Sequence, residues 1–182
     1  MAKTRTELDR ETKVEEILDL AERRLAEGGY EGLSVAGLAR ELGLAQNAIY
    51  WYFPSKDDLF VAVLRRMLSA IAARKPRGGA GHRERILWFA DRLEPLSRLR
   101  PTLRERAEKS EVAAEFLKEL EALLARMLSN ALRAEAVAEA DLPIAVEAFR
   151  AAVEGSYVKG LSRAKRRETL AFLLDRLRGD GV

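Results

Sequence analysis

Cysteine is absent from all 182 residues, so neither a disulfide framework nor thiolate chemistry is available. Histidine occurs once, as His82, which rules out an H-E-x-x-H pair or any two-histidine metal spacing. No run alternates apolar and polar residues with period two, so no strand is expected, nor the glycine-rich phosphate cradle that follows one. Glu-x-x-His pairs, which a helical carboxylate enzyme needs on facing helices, are also missing. The paired carboxylates Glu15-Glu16 and Asp57-Asp58 are expected on exposed or capping positions. Long apolar runs are lacking too: residues 59–64 are far too few to cross a bilayer. Residues 1–10 alternate polar and charged side chains without the apolar core of a secretory leader. The expectation is a cytoplasmic protein that is not an enzyme, needs no cofactor or metal, and has no membrane partner.

Acidic residues are absent from one stretch in particular. Between Glu41 and Asp57 there is none, and the stretch ends on Lys56. A surface that faces phosphates must at least exclude carboxylates. The overall pI of about 9.3 is a poorer guide. Residues 1–75 hold 12 Lys+Arg against 12 Asp+Glu, so the whole net charge of +3 comes from residues 76–182. Bulk charge therefore gives no support to a nonspecific basic binder.

What is present is helical spacing throughout. A first helix is expected over about 12–26, with Val14, Ile17, Leu18, Ala21 and Leu25 on one stripe, stopped at Gly28 and Gly29. Ser34 is placed to cap a short helix over 35–42, which Gly43 ends. A second short helix follows over about 46–52, and Pro54 breaks it. Ser55 and Asp58 form a capping box for a longer helix carrying Leu59 to Ile71. Residues 76–81 (P-R-G-G-A-G) have linker composition. Beyond them, helices are expected over about 84–96, after Pro101, over 112–134, from Pro143 to 161, and from Ser162 to Gly179. The fold class is all-α, with about nine helices. An N-terminal three-helix unit with a helix-turn-helix (residues 11–57) precedes a larger C-terminal helical bundle (residues 58–182).

Two short helices around a glycine turn make the helix-turn-helix skeleton. Val35, Leu38, Ala39, Leu42, Leu44, Ile49 and Phe53 fall on its inward side. Left outside are Ala45, Gln46, Asn47, Ala48, Tyr50, Trp51 and Tyr52. Amide side chains pair bidentately with adenine in the major groove, small alanines allow close approach, and tyrosine hydroxyls suit phosphate oxygens. Lys56 offers an ammonium to a phosphate beside them. A plain helical hairpin with an aromatic packing cluster is the competing account, and it leaves this amide-aromatic face unexplained.

The span from Ile17 to Phe60, with E-G-G-Y, S-V-x-x-L-A, L-G-L, I-Y-x-Y-F-x-S-K and L-F in register, resembles the N-terminal domain of the TetR family of bacterial regulators. The resemblance covers roughly the first third of the chain. It implies a sequence-specific DNA-binding repressor that acts as a homodimer on double-stranded operator DNA and answers a small-molecule effector. It also implies DNA-contact roles for Ser34, Val35, Ala45, Gln46, Asn47, Ala48, Tyr50, Trp51, Tyr52 and Lys56. Two positions depart from the family pattern. Ala45 stands where a serine or threonine often opens the reading helix, and Gln46-Asn47 stand where Lys-Gly is common.

For the C-terminal bundle the resemblance implies a ligand chamber and a dimer surface. Candidate chamber residues are Trp88, Phe89, Arg92, Phe116, Met127 and Tyr157, aromatic or flexible side chains with an occasional polar handle. Candidate dimer residues are Phe149, Val153, Leu170, Leu173, Leu174 and Leu177 on the last two helices. Ordinary core is the competing account for both sets, and it weighs more against the chamber than against the dimer surface. The basic run over 163–167 (R-A-K-R-R) reads as solvated surface, as do Arg92 and Arg100.

Overall fold

Local signals in the sequence set most helix ends. The computed structural model describes residues 5–74 and 81–178, with side chains from residue 9 onward. Among the described residues the chain forms nine helices and no strand. They are α1 (Arg5–Gly32), α2 (Val35–Glu41), α3 (Gln46–Tyr52), α4 (Lys56–Ala73), α5 (His82–Arg92), α6 (Glu94–Ala107), α7 (Glu111–Ala134), α8 (Leu142–Val158) and α9 (Arg163–Leu177). None of them is long and apolar enough to cross a membrane. The expected linker over 76–81, apart from Gly81, and the expected stop at Gly179 lie outside the described residues.

Capping residues act where the sequence places them. Ser34 Oγ accepts from the Gly37 amide at 3.2 Å, and Ser162 Oγ from the Lys165 amide at 3.3 Å. Ser55 Oγ accepts from the Asp58 amide at 3.1 Å and donates to the Asp58 carboxylate at 2.6 Å. Gly43, at φ 65°, closes α2 by returning its own amide to the Arg40 carbonyl and the Leu44 amide to that of Ala39. The α7 end uses the same bond pattern, but the left-handed residue there is Ala136, at φ 64°.

Several bounds differ from expectation, among them that of α5, which stops at Arg92 rather than near residue 96. α1 starts at Arg5 rather than near residue 12, and its helical geometry breaks at Gly29 (φ 59°) before one more turn to Gly32. A Cβ at Gly32 would lie 2.4 Å from the Arg24 carbonyl oxygen, so that turn closes against α1 only with glycine. α6 runs through Pro101 instead of starting after it. Proline removes one rung of the ladder, and here the ring sits on the exposed side of the helix.

The chain divides into two compact units. Unit 1 takes residues 1–68 and 101–116, and unit 2 takes 69–100 and 117–182. Unit 1 buries Ile17, Leu20, Leu33, Leu38, Ile49 and Phe60. At roughly 1.5–3 kcal/mol per fully buried large apolar side chain, these set the position of α3. Arg66 on α4 adds a polar clamp, bonding Asp19 and Glu22 of α1 at 2.6 Å each and the Leu18 carbonyl at 3.1 Å.

Unit 2 has its own core of Ile86, Leu87 and Ala90 from α5, Leu132 from α7, Ala145, Val146 and Phe149 from α8, and Leu170 and Leu174 from α9. Of the six residues expected at a dimer surface, Phe149, Leu170 and Leu174 are fully buried in this core, where they join α8 to α9 instead of facing outward. Val153, Leu173 and Leu177 are partly buried against it.

The basic run over 163–167 is a correction to the sequence reading. Arg166 is only 2% exposed, its guanidinium 2.9 Å from Glu94 and stacked over the Tyr157 ring at 4.6 Å. Arg167 reaches Asp91 at 3.0 Å and Glu84 at 2.6 Å, while Arg163 reaches Asp91 at 2.9 Å. The run staples α9 to α5 and α6, and its charge is consumed within unit 2.

Candidate nucleic-acid interface

α3 is about two turns long, so its inward anchors must be few. Ile49 is fully buried and Phe53, just past the helix end, is nearly so. The Ala48 amide bonds the Ala45 carbonyl at 2.9 Å, but Ala45 has no side-chain cap to offer. That leaves the first amides of α3 without the partner that a serine or threonine would supply.

Pointing away from these anchors are amide, aromatic and small alanine side chains, with no charge among them. Gln46, Asn47 and Ala45 are exposed, and Ala48 and Tyr52 half-buried. Tyr50 is 40% and Trp51 68% exposed, a costly display of apolar area unless another surface covers it. Ser34 is exposed as the α2 cap, whereas the Val35 side chain is core, so only its backbone faces outward. The structure thus brings the ten expected contact residues onto α2, α3 and the start of α4, with Val35 reduced to its main chain.

Lys56 is more constrained than the sequence reading implies. Its ammonium sits 4.1 Å over the Tyr30 ring and 3.4 Å from the exposed Glu31 carboxylate. Screening makes the second contact weak, and a phosphate could displace it.

Behind this surface lies a network absent from the sequence reading. Asp57, expected to be exposed or capping, is 7% exposed. Arg106 grips it from the end of α6, and the Tyr30 hydroxyl donates to it at 2.7 Å. Hydrogen bonds from Arg106 hold the Asp57 carboxyl below the usual carboxylate range, against the opposing effect of burial and with help from Tyr30. Burial, followed by the bond to Asp57, pushes the Tyr30 hydroxyl up, so it stays a donor. Tyr30 also meets Phe60 edge-on at 5.2 Å and the Arg106 guanidinium at 5.0 Å. The segment just before the reading surface is thereby fixed to α4 and α6. No local pattern announces it, because its members lie 27 and 49 residues apart.

The expected chamber residues separate. Phe116 is buried in unit 1 beneath the Arg65 guanidinium at 4.9 Å. The other five lie in unit 2. Trp88 and Phe89 meet edge-on at 5.1 Å on α5, with Arg92 over Trp88 at 5.7 Å. Tyr157 of α8 donates its hydroxyl to the Ala90 carbonyl of α5, and burial pushes its pKa up. Met127 is half-buried on α7, with nothing tying it to the others.

Known proteins agree with this architecture. Residues 17–63 match the family model of bacterial regulatory proteins, tetR family. The HTH-type transcriptional repressor AcnR of Corynebacterium glutamicum is 30% identical over 176 residues, covering 91% of this chain and 90% of that protein. Among solved structures, a transcriptional regulator from Saccharomonospora viridis in complex with choline superposes with a TM-score of 0.77 at 19% identity, over 91% of this chain and 96% of that one. BioQ, solved with its double-stranded DNA operator, gives 0.60 at 25% identity, over 91% and 98%. With the family pattern, a near full-length relative and the helix-turn-helix geometry in agreement, the chain belongs to the TetR family of DNA-binding transcriptional regulators, which are not enzymes.

Proposed function

We propose that the protein represses transcription as a homodimer and leaves its operator when a small molecule binds unit 2. The observation that carries this reading is the outward face of α3: exposed Gln46, Asn47, Tyr50 and Trp51, with no acid from residue 42 to residue 56. The two amides read base edges in the major groove, while Tyr50, Tyr52, Lys56, Ser34 and the Val35 backbone address phosphates. BioQ, which shares the fold at 25% identity, was solved on duplex operator, and this supports double-stranded DNA as the partner. Repression follows the relative AcnR, and a cytoplasmic location follows from the need to reach the operator.

One short reading helix binds weakly, so two are needed, about 34–36 Å apart on a near-palindromic site. The surface proposed for pairing is the outer stripe of α8 together with α9. Ile144, Val158 and Phe172 are 69%, 89% and 60% exposed, and the exposed Ala148 and Ala151 between them allow close approach. Phe149, Leu170 and Leu174 serve that surface from behind, with Val153, Leu173 and Leu177 at its margin. Ile144→Glu with Phe172→Glu is expected to yield monomers by analytical ultracentrifugation; a dimer that survives both overturns this surface.

The effector is assigned to the aromatic group Trp88, Phe89 and Tyr157 of unit 2, with Arg92 over Trp88. A ligand there acts by its differential affinity for two conformations of the protein. Selection of bound sequences from random duplexes, with and without candidate effectors, tests the whole reading. Enrichment of a palindrome supports it, and failure to enrich any sequence overturns it.

A further inference from the structure

α1 begins well before it is needed for packing. Its buried stripe starts at Ile17, yet the helix runs back to Arg5, and Asp9, Arg10, Glu11 and Thr12 are exposed. One contact joins this forward extension to the reading surface. The Arg10 guanidinium lies 5.2 Å from the centroid of the Trp51 ring, on the 68% exposed indole of α3. Trp51 is braced in turn by Tyr52, edge-on at 5.1 Å.

We infer that Arg10, held over Trp51, contacts the DNA phosphate backbone, a single cation reaching the reading surface while its neighbours Asp9 and Glu11 face away from DNA. The inference rests on the reading of α3 as the DNA-reading helix. Three observations lead to it. α3 carries no cation at all, so phosphate neutralisation beside it must come from elsewhere. Lys56, the nearest candidate in sequence, is shared with Glu31 and Tyr30. Lastly, an indole face orients a guanidinium without consuming its donors. The N–H groups lie in the guanidinium plane, so a stacked arginine keeps them free for two parallel bonds to a phosphate. Arginine is the residue that fits, since lysine offers a point charge and no plane to stack. The contact carries no sequence information and adds to whatever Gln46 and Asn47 read.

Salt titration of affinity for the enriched duplex, and for a scrambled duplex, tests this. Arg10→Ala is expected to weaken both by about tenfold and to lower the slope of log affinity against log salt by about one, as loss of a single phosphate contact does. Arg10→Lys should restore only part of the affinity. In a Trp51→Ala background, Arg10→Ala should cost much less than in the wild type, because the platform is already gone. Circular dichroism melting confirms that each variant folds. An unchanged salt slope in folded Arg10→Ala overturns the inference, and so does full additivity of the two substitutions. If the slope stays but Gln46→Ala alters base preference, only this inference falls. If the wild type enriches no sequence, the reading of α3 falls with it.

Discussion

Arg106 holds Asp57 by two parallel hydrogen bonds, Nε to Oδ1 and Nη2 to Oδ2, each 2.8 Å long. A fork of this kind fixes direction as well as distance, so the end of α6 sets the angle at which α4 leaves the reading surface. It also stores a pH dependence. The Asp57 carboxyl is lowered in the folded chain by its bonds from Arg106 and Tyr30, so its stabilisation is fully present above the unfolded value of about 4 and fades as pH falls through the folded one. Urea unfolding followed from pH 7 to pH 3 is expected to show a steeper acid loss for the wild type than for Asp57→Asn. Equal slopes would remove Asp57 as the cause. At pH 7, Arg106→Ala is expected to cost about 2–4 kcal/mol, because it leaves a nearly buried carboxylate without its counter-charge.

The reading surface predicts two distinct kinds of defect. Gln46→Ala and Asn47→Ala are expected to relax base preference, each by about 1–3 kcal/mol at the bases it reads. Tyr50→Ala and Lys56→Ala are expected to weaken binding equally across sequences. Competition of operator against single-base variants separates the two. Uniform loss in all four variants would show that α3 only clamps the backbone.

Arg166 and Arg163 stand three residues apart, yet should behave differently. Arg166→Met removes a buried partner of Glu94 and the stack on Tyr157, and is expected to destabilise by about 2–4 kcal/mol in urea. Arg163 is largely exposed, and Arg163→Ala is expected to cost under about 1 kcal/mol. Neither should change the salt slope of DNA binding; a change in Arg163→Ala would make the run a DNA contact that neither the sequence nor the structure points to.

Ala136 occupies a left-handed position that favours glycine. Ala136→Gly is expected to stabilise the protein by about 0.5–1 kcal/mol, and Ala136→Val to destabilise it, by urea midpoint. The opposite order would mean that the alanine methyl makes a packing contact worth more than the strain.

The helix-turn-helix was legible because its determinants lie within a few residues of one another. Ser34 and Gly37, Ser55 and Asp58, and Gly43 with Arg40 make bonds whose geometry depends on short spacing alone. The outward set of α3 followed from the same period once Ile49 and Phe53 were placed inside. The start of α1 was not legible, because Asp9 to Thr12 are exposed and carry no buried stripe to mark a helix. Nor was its contact with Trp51, which joins residues 41 positions apart.

By itself, then, the sequence determined the helical class, the caps, the glycine turns and which side chains of α3 face outward. Each is a matter of backbone chemistry and period over one or two turns. Only the tertiary structure decided which of two adjacent aspartates is buried, and which arginine of R-A-K-R-R is core. It also decided which face of α8 stays open, and that α6 passes through Pro101. Those outcomes depend on partners far along the chain, 49 residues for Arg106 and Asp57, 72 for Arg166 and Glu94. A charged or apolar side chain has the same local sequence signature whether or not a partner reaches it. Desolvation and pairing are settled only when the helices meet.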